Sequence, residues 1–471
     1  MKNNSDFIQY FFIDPLDLII VIVLIFFIRK LLINFLEYKA YNNSDNYHFQ
    51  IKIYHLLTFI RPFSAENYNN LGSTYATYDN WALAIKNYER AIRINPGFAE
   101  AYTNMGIGFH ELGELKKAIS CHKKAIDLKP FYPDSYTNLG LVYTELGDIN
   151  LALRNLEKGY RLKRGIPFNV EPLDGVALQQ KIGLHKLFHD LEQLEYLIKE
   201  NLLPESFNSV LENYQEIYYE NLSNRDLFKN LPPQQWSKIK GYYDRNIYFE
   251  AAPSLSEPVI NNYLDIEAIQ NDYKTKNNLF FDNFLSQNAL EELRKFCLRN
   301  TIWHDYRKTR GYIGSYLDDG FYCPLLFQIA EELKTKFPEI FHDLPLTYMW
   351  AYKYGSFSKG FKVHADRATI NVNFWITPDE ANLEPKHGGM IVYQPEHQID
   401  WNFDNYNVKT SDIQSILEKH NCKPIEIPYR QNRVVLFNSS LFHETAPFKF
   451  KEGYENHRIN ITMLFGNKIL I

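Results

Sequence analysis

The stretch HADRATINVNFWITP, residues 364–378, begins with a histidine and an aspartate separated by one residue and continues as a strand-like run. In extended backbone, side chains at positions i and i+2 point to the same side, so His364 and Asp366 can contact one metal ion. Many chains carry such a pair by chance. The interpretation therefore depends on the sequence around it.

Four other runs near this stretch are rich in β-branched and aromatic residues and are separated by Gly, Pro and Asn turns: LTYMWAYKYG (346–355), GGMIVYQP (388–395), NRVVLFNSS (432–440) and HRINITMLFG (457–466). Short strands with such turns predict a sandwich or jelly roll. Upstream, residues 278–300 predict a strand, a turn and an amphipathic helix capped by Ser286. A second helix is predicted over about residues 323–336.

A third ligand-type side chain, His443, follows the run NRVVLF in the segment SLFHETAP. Two imidazoles and one carboxylate form the facial triad of non-haem Fe(II) oxygenases. Such a triad leaves coordination positions open for a bidentate 2-oxo acid and for O2. Gly388 and Gly389 lie on a turn between two predicted strands, where close backbone packing needs a residue without Cβ.

The last strand-like run begins with Arg458 and alternates polar with apolar residues, so that Arg458, Asn460 and Thr462 share its polar face. Arg458 is therefore predicted to point into the barrel. Tyr352 and Tyr354 share one face of the strand that precedes the metal-ligand pair.

In these features residues 278–471 resemble the prolyl-4-hydroxylase-like branch of the Fe(II)/2-oxoglutarate dioxygenase superfamily. That family has, in order, Y-x-x-G, H-x-D, a GG turn, a distal His and an Arg or Lys on the last core strand. The matching positions in this chain are Tyr352 and Gly355, His364 and Asp366, Gly388 and Gly389, His443, and Arg458. The resemblance implies a double-stranded β-helix (jelly roll) with an all-β core and flanking helices.

The resemblance also implies the roles of individual residues. His364, Asp366 and His443 would be the metal ligands and the catalytic residues. Arg458 would pair with the distal carboxylate of 2-oxoglutarate, since a guanidinium matches a carboxylate in a bidentate fork. Tyr352 would donate a hydrogen bond to the same carboxylate, or else be a plain core aromatic.

The implied cofactors are Fe(II) and 2-oxoglutarate, with ascorbate as a candidate reductant and O2 as co-substrate. The implied reaction is oxidative decarboxylation of 2-oxoglutarate to succinate and CO2, coupled to hydroxylation of a substrate. The aspartate at 366 argues against the halogenase variant and against the aspartyl/asparaginyl β-hydroxylase type, both of which lack this carboxylate ligand.

Three alternatives remain open at this point. Arg433 is a second candidate for pairing with the cofactor. The domain could be a catalytically silent part of a membrane-tethered interaction scaffold, although a silent site has no need for a triad plus Arg458. A cupin-like enzyme is the third alternative, but cupins usually supply more imidazoles. Two departures from the family are a long gap between His443 and Arg458 and a long segment, residues 400–420, that predicts a lid or substrate loop.

An internal repeat of 34 residues lies further upstream. Its most regular signal is a dipeptide ending in glycine, found as Leu71-Gly72, Met105-Gly106 and Leu139-Gly140. The pattern resembles the tetratricopeptide repeat (TPR), a helix–turn–helix unit that stacks into a solenoid. Stacked helix pairs form concave surfaces that bind extended segments, so a protein or peptide substrate is predicted.

The N-terminus contains the apolar run LIIVIVLIFFI, residues 18–28, followed by Arg29 and Lys30. With its flanks it reaches the length of a membrane span, and the basic pair after it would place the rest of the chain in the cytoplasm. A signal peptide fits poorly because its positive charges should precede the apolar run. A buried first helix in a soluble cytoplasmic protein is the alternative.

Global composition excludes little. A formal net charge of −5 and a pI near 6.3 do not favour a nucleic-acid partner. Four scattered cysteines without CxxC spacing predict free thiols. The sequence thus divides into an N-terminal segment (1–15), a candidate transmembrane anchor (16–36), a degenerate helical repeat (37–65), three TPR repeats (66–164), capping helices (165–202), a linker or elaboration (203–277) and the dioxygenase-like domain (278–471).

Overall fold

Helices occupy the first half of the chain, and the C-terminal region is mainly β-sheet. The structure, a computed structural model, describes residues 15–42, 46–167, 181–222, 228–306, 312–355, 360, 362–394 and 410–466. The predicted segment 1–15 lies almost wholly outside the described residues, as do much of the predicted lid and the beginning of the predicted capping helix. The chain divides into two compact units, Met1–Pro130 and Phe131–Ile471.

The first unit contains six helices among its described residues: α1 (Pro15–Asn42), α2 (Tyr47–Ile60), α3 (Ala65–Ala76), α4 (Trp81–Ile94), α5 (Ala99–Glu111) and α6 (Leu115–Leu128). The predicted anchor, residues 16–36, lies within α1. No helix in the described part of the chain is long and apolar enough to cross a membrane.

The repeating glycines mark the places where the two helices of a repeat touch. A Cβ on Gly72 would lie 2.6 Å from the Tyr88 ring, and one on Gly106 would lie 2.6 Å from the His122 ring. In the third repeat, a Cβ on Gly140 would lie 2.7 Å from Leu156. Real Cβ atoms do not approach other atoms this closely, so the 34-residue glycine period follows from helix crossing.

The second unit begins with the helix pair of the third repeat, α7 (Pro133–Glu145) and α8 (Ile149–Arg164). Residues 181–222 and 228–276, in the region predicted to hold capping helices and a linker or elaboration, are mainly helical and are called the helical elaboration below. Its elements are β1 (Lys181–Gly183), α9 (Leu184–Lys199), α10 (Asn208–Asn221), β2 (Phe228–Asn230), α11 (Pro233–Ile239) and α12 (Ile266–Lys276).

The remaining elements are β3 (Asn278–Phe281), α13 (Gln287–Arg299), β4 (Tyr312–Tyr316), α14 (Pro324–Lys336), α15 (Pro338–Phe341), β5 (Leu346–Tyr354), β6 (Ile370–Trp375), β7 (Met390–Gln394), α16 (Thr410–Lys419), β8 (Lys423–Ile427), β9 (Val434–Asn438), β10 (His443–Thr445) and β11 (Arg458–Phe465). Ser286 caps α13 as predicted, its hydroxyl accepting from the Ala289 amide.

Apart from the pair β1-β2, the strands form two antiparallel sheets that share one core. A six-stranded sheet has the order β3-β9-β6-β11-β5-β4, and a three-stranded sheet has the order β10-β7-β8. Trp375 and Phe437 of the larger sheet pack in one buried cluster with Val392 and Ile427 of the smaller sheet. Helical residues cover the other face of the larger sheet, where the rings of Phe341 and Phe465 lie 4.8 Å apart. As a result, β11 is buried along its whole length.

A buried ion-pair network joins the third repeat to the β-rich region. At the end of α8, Arg164 donates to both carboxylate oxygens of Asp319, at 2.9 and 2.5 Å, and its Nη1 lies 2.7 Å from Asp244. Burial acts to raise the pKa of Asp244, but Arg164 outweighs it and the pKa falls to about 2. The pKa of Asp319 is lowered for the same reason. This network explains why α7 and α8 group with the second unit.

We expect Arg164→Met to reduce the free energy of unfolding by about 3–5 kcal/mol at pH 7, because two buried carboxylates lose the arginine they share. Among the described residues, Asp319 would keep only Lys163 as an ion-pair partner, and Asp244 would keep only His304. The native pKa values of these carboxyls lie below their unfolded value of 3.8, so the pair stabilises above that pH and is lost as pH falls towards 2. The penalty should therefore shrink towards pH 3. Denaturant unfolding of both proteins at pH 7, 5 and 3 measures this difference.

Arg161→Met is the matched control, since Arg161 lies on the same helix and pairs with Glu157 at an exposed site. Its cost should stay below ~0.5 kcal/mol at every pH. A penalty for Arg164→Met that does not change with pH would contradict the assigned charge network.

Candidate metal centre

The structure brings the three predicted ligands together. One ligand atom from each of His364, Asp366 and His443 lies within 4.8 Å of the others. His364 Nε2 is 3.9 Å from Asp366 Oδ1, and His443 Nε2 is 3.4 Å from Asp366 Oδ2. Two imidazole nitrogens and a carboxylate at this separation can converge on one divalent cation.

Backbone pairing fixes the two histidines. His364 and His443 form an isolated antiparallel bridge, with N–H···O distances of 3.0 and 2.8 Å in the two directions. The Nδ1 atom of each imidazole is hydrogen-bonded to a backbone carbonyl. His364 Nδ1 lies 2.8 Å from the Lys362 oxygen, and His443 Nδ1 lies 3.1 Å from the Leu441 oxygen. Since a carbonyl can only accept, Nδ1 must carry the proton, and Nε2 is left as the ligand atom.

The carboxylate of Asp366 is also held in place. Its Oδ2 accepts a hydrogen bond of 2.6 Å from Asn371, and its backbone amide donates to the carbonyl of Ser439. Burial acts to raise the pKa of Asp366, but the two neighbouring imidazoles and the hydrogen bond from Asn371 outweigh it and the pKa is lowered. The group is therefore ionised at neutral pH, as a metal ligand requires.

Arg458 is a buried cation without an acidic partner among the described residues. Its side chain is only 2% exposed and is enclosed by aromatic rings, with the Tyr354 ring centroid 5.0 Å from Cζ. Nε and Nη2 donate to the carbonyls of Gly388 and Gly389 at 2.7 and 3.0 Å. Nη1 is buried and has no hydrogen-bond partner in the described part of the chain. Burial lowers the pKa of this guanidinium.

One cavity of about 260 Å³ contains all of these groups. Its lining includes His364, Asp366, His443 and Arg458. An aromatic wall from β4 and β5 forms one side, made of Tyr316, Tyr348, Trp350, Tyr352 and Tyr354.

Tyr352, the predicted second cofactor contact, lies in this wall with its hydroxyl 3.0 Å from that of Tyr316. The same Tyr316 hydroxyl donates to Asp305 at 2.9 Å. The sequence therefore identified one member of a hydroxyl chain but not its neighbours. The sequence did not predict a role for Tyr316, because this residue reaches the cavity through strand pairing with Trp350, which is distant in the chain.

Asn371 and Asn373 were also missed. Asn373 lines the cavity and accepts hydrogen bonds from Asn460 (3.0 Å) and Thr462 (2.8 Å). The signal that could have found them is the alternation of asparagine with apolar residues in INVNFW, residues 370–375. Together these side chains form a polar floor between β6 and β11.

Arg433, the alternative cofactor partner, is engaged elsewhere. Its Nε and Nη2 donate to the two carboxylate oxygens of Asp282 at 2.6 and 3.1 Å. It does not belong to the described lining of the cavity. An arginine already neutralised by a carboxylate has little to offer a second anion, so the alternative is wrong.

The donor set fits an iron ion and a 2-oxo acid. Three oriented ligand atoms occupy one side of the metal position, and the cavity has an unpaired guanidinium nitrogen that a carboxylate could neutralise. An engineered cavity of about 150 Å³ binds benzene, so a cavity of this size holds a molecule of about ten non-hydrogen atoms, the size of 2-oxoglutarate.

The comparisons with known proteins concern the repeats. The "Tetratricopeptide repeat" family matches residues 65–98 and 133–165, and the "TPR repeat" family matches residues 108–147. The chain therefore contains tetratricopeptide repeats, which confirms that prediction. No curated protein matches the chain.

Similar solved structures cover about a quarter of the chain. MamA is 28% identical over 28% of this chain and 77% of that chain, with a TM-score of 0.26. The first TPR of Spaghetti (RPAP3), bound to the HSP90 peptide SRMEEVD, is 21% identical over 24% of this chain and 92% of that chain, with a TM-score of 0.23. YrrB, a TPR protein with an unusual peptide-binding site, is 20% identical over 26% of this chain and 63% of that chain, with a TM-score of 0.24.

The glycine turn that holds Arg458 offers a sharp test of the geometry. A Cβ on Gly389 would lie 2.0 Å from the carbonyl oxygen of Ile427, a backbone atom that cannot rotate away. We expect Gly389→Ala to cost about 2–3 kcal/mol of stability or more, because the two strands must separate. Thermal unfolding measures the loss.

Gly355→Ala is the control. Among the described residues, a Cβ there would meet only His457 Nε2, at 4.0 Å. This variant should melt within a few degrees of the wild type, and a Gly389→Ala protein that melts with it would contradict the close approach of β7 and β8.

Proposed function

We propose that residues 278–471 form an Fe(II)- and 2-oxoglutarate-dependent dioxygenase domain with a double-stranded β-helix core. The proposal rests mainly on Arg458, which is buried and has no acidic partner among the described residues. It lines the same cavity as His364, Asp366 and His443. Burying an uncompensated guanidinium is costly, and a bound carboxylate would offset that cost.

In this proposal His364, Asp366 and His443 hold the iron. The carbonyls of Lys362 and Leu441 keep Nε2 of each imidazole directed at the metal, and Asn371 fixes one oxygen of Asp366. Such supporting hydrogen bonds set the tautomer and orientation of metal ligands. When bound, iron and 2-oxoglutarate supply the oxidising chemistry that O2 alone does not perform on a C–H bond.

The cofactor carboxylate would be bound through the guanidinium of Arg458. The carbonyls of Gly388 and Gly389 hold Nε and Nη2, which leaves Nη1 to donate to the anion. Tyr352 also lines this cavity, and its hydroxyl donates to that of Tyr316, which itself donates to Asp305. Tyr352 would be a second donor for the anion only by exchanging that partner. The aromatic wall excludes water, which strengthens each of these interactions.

The substrate is proposed to be a side chain of a protein or peptide, as for a prolyl hydroxylase. The repeats support this choice, because stacked helix pairs present surfaces suited to extended segments. The aromatic wall offers an apolar surface against which such a side chain could pack.

Succinate formation tests the proposal. The full chain, supplied with Fe(II), 2-oxoglutarate and O2, should form succinate slowly even without a substrate, and His364→Ala should abolish it. Arg458→Met should raise the 2-oxoglutarate concentration for half-maximal rate about 30-fold, equivalent to ~2 kcal/mol for a lost charge-assisted contact.

Arg433→Met serves as the arginine control and should leave the 2-oxoglutarate requirement unchanged, since Arg433 pairs with Asp282. If iron-loaded wild-type protein forms no succinate, the silent-scaffold alternative replaces the proposal. If Arg458→Met behaves as wild type, the assignment of the cofactor carboxylate fails.

A further inference from the structure

A second cavity, of about 200 Å³, lies on the opposite face of β5 from the candidate metal centre. Successive side chains of a strand point to opposite faces, and here Tyr352 and Tyr354 line the first cavity while Lys353 lines the second. The other side is formed by α9 and the end of α10, which belong to the helical elaboration.

The walls of this second cavity are apolar and aromatic. They consist of Leu184, Phe188, Tyr218, Leu222, Tyr312 and Ile313. By comparison with the benzene-binding cavity of about 150 Å³, this space suits one aromatic ring or short chain plus a small polar group.

Apart from the two tyrosines, the polar side chains of the lining are all basic. Lys353, His185, His189 and His457 line the cavity, and its described lining contains no acidic residue. Glu192, which is not part of the described lining, contacts one of these bases: its Oε2 lies 3.2 Å from His457 Nε2. Four bases around an apolar space of this size are complementary to a single anionic group.

Two of these bases are buried, and each has a nitrogen that could donate to a carboxylate: Lys353 directly, and His189 through Nε2 once the imidazole has taken up a second proton. Lys353 has no exposed surface, and its Nζ lies over the Tyr454 and Trp303 rings and donates to the Tyr454 hydroxyl at 2.8 Å. His189 is 3% exposed and contacts Asp190 through Nδ1, while its Nε2 has no hydrogen-bond partner among the described residues. Burial lowers the pKa of both groups, which an anion would reverse.

We propose that this second cavity binds a small monocarboxylate with a compact apolar body, held by Lys353 and His189 and enclosed by the aromatic walls. The carboxylate would accept from the Lys353 ammonium and, with a proton taken up on binding, from His189 Nε2, and the apolar body would displace water from the walls. The site is separate from the candidate metal centre and does not depend on the dioxygenase assignment.

Calorimetric titration of the full chain tests the proposal with phenylacetate as the probe. The Arg458→Met variant is used as the background, so that binding in the first cavity is suppressed. Phenylacetate should bind at one site per chain, at least about 10-fold more tightly than 2-phenylethanol or 2-phenylethylamine, since a charge-assisted hydrogen bond contributes ~1.5–3 kcal/mol. Equal binding of the three probes, or no binding of phenylacetate, would overturn it.

Lys353→Met, added to this background, keeps the apolar stem and should weaken phenylacetate binding by about 10-fold or more. Should that variant fail to fold, Leu222→Trp provides a second test, because Leu222 is 51% exposed at the cavity and a larger side chain there would block it. His342→Gln, at an 82% exposed side chain, is the control that should leave binding intact. Unchanged binding in both Lys353→Met and Leu222→Trp would refute the site.

Discussion

The two backbone hydrogen bonds between His364 and His443 hold the candidate metal centre together. They join chain segments almost eighty residues apart and continue the edge of the small sheet, where β10 pairs with β7. Since the Nδ1 atoms are tied to nearby carbonyls, the same pairing directs both Nε2 atoms towards Asp366. A metal site built on backbone register in this way is positioned before any ion binds.

The small sheet also explains the position of Arg458. The turn into β7 carries Gly388 and Gly389, whose carbonyls accept from the guanidinium, and only glycine allows Gly389 to approach Ile427 so closely. The two histidines and the guanidinium of Arg458 thus both depend on the sheet β10-β7-β8, whereas Asp366 is held by Asn371 of the larger sheet and by Ser439.

Local sequence patterns predicted the helix pairs of the repeats and the polar face of the last strand. The 34-residue period predicted the helix pairs because each glycine sits at a helix crossing, and alternation in the last strand predicted that Arg458, Asn460 and Thr462 would share the cavity face. What could not be predicted depends on contacts across the chain. Tyr316 reaches the cavity only through its pairing with Trp350, and Lys353 meets His189 only because α9 packs behind β5.

The grouping of the third repeat with the β-rich region was not predictable for the same reason. Arg164 resembles any basic residue at a helix C-terminus until Asp319 and Asp244 are placed beside it. This buried network fixes the last helix pair of the repeats to the domain that contains the candidate site. A segment bound at that helix pair would therefore be held by the same unit as the cavity.

In the proposed function, one cavity binds Fe(II) through His364, Asp366 and His443 and an oxo acid beside it. Anaerobic absorption spectroscopy of the full chain, with Fe(II) added before 2-oxoglutarate, is the decisive measurement. We expect a visible iron-to-oxo-acid charge-transfer band that requires both additions and is lost in Asp366→Ala. If folded, iron-loaded wild-type protein gives no band, the cavity is not such a site.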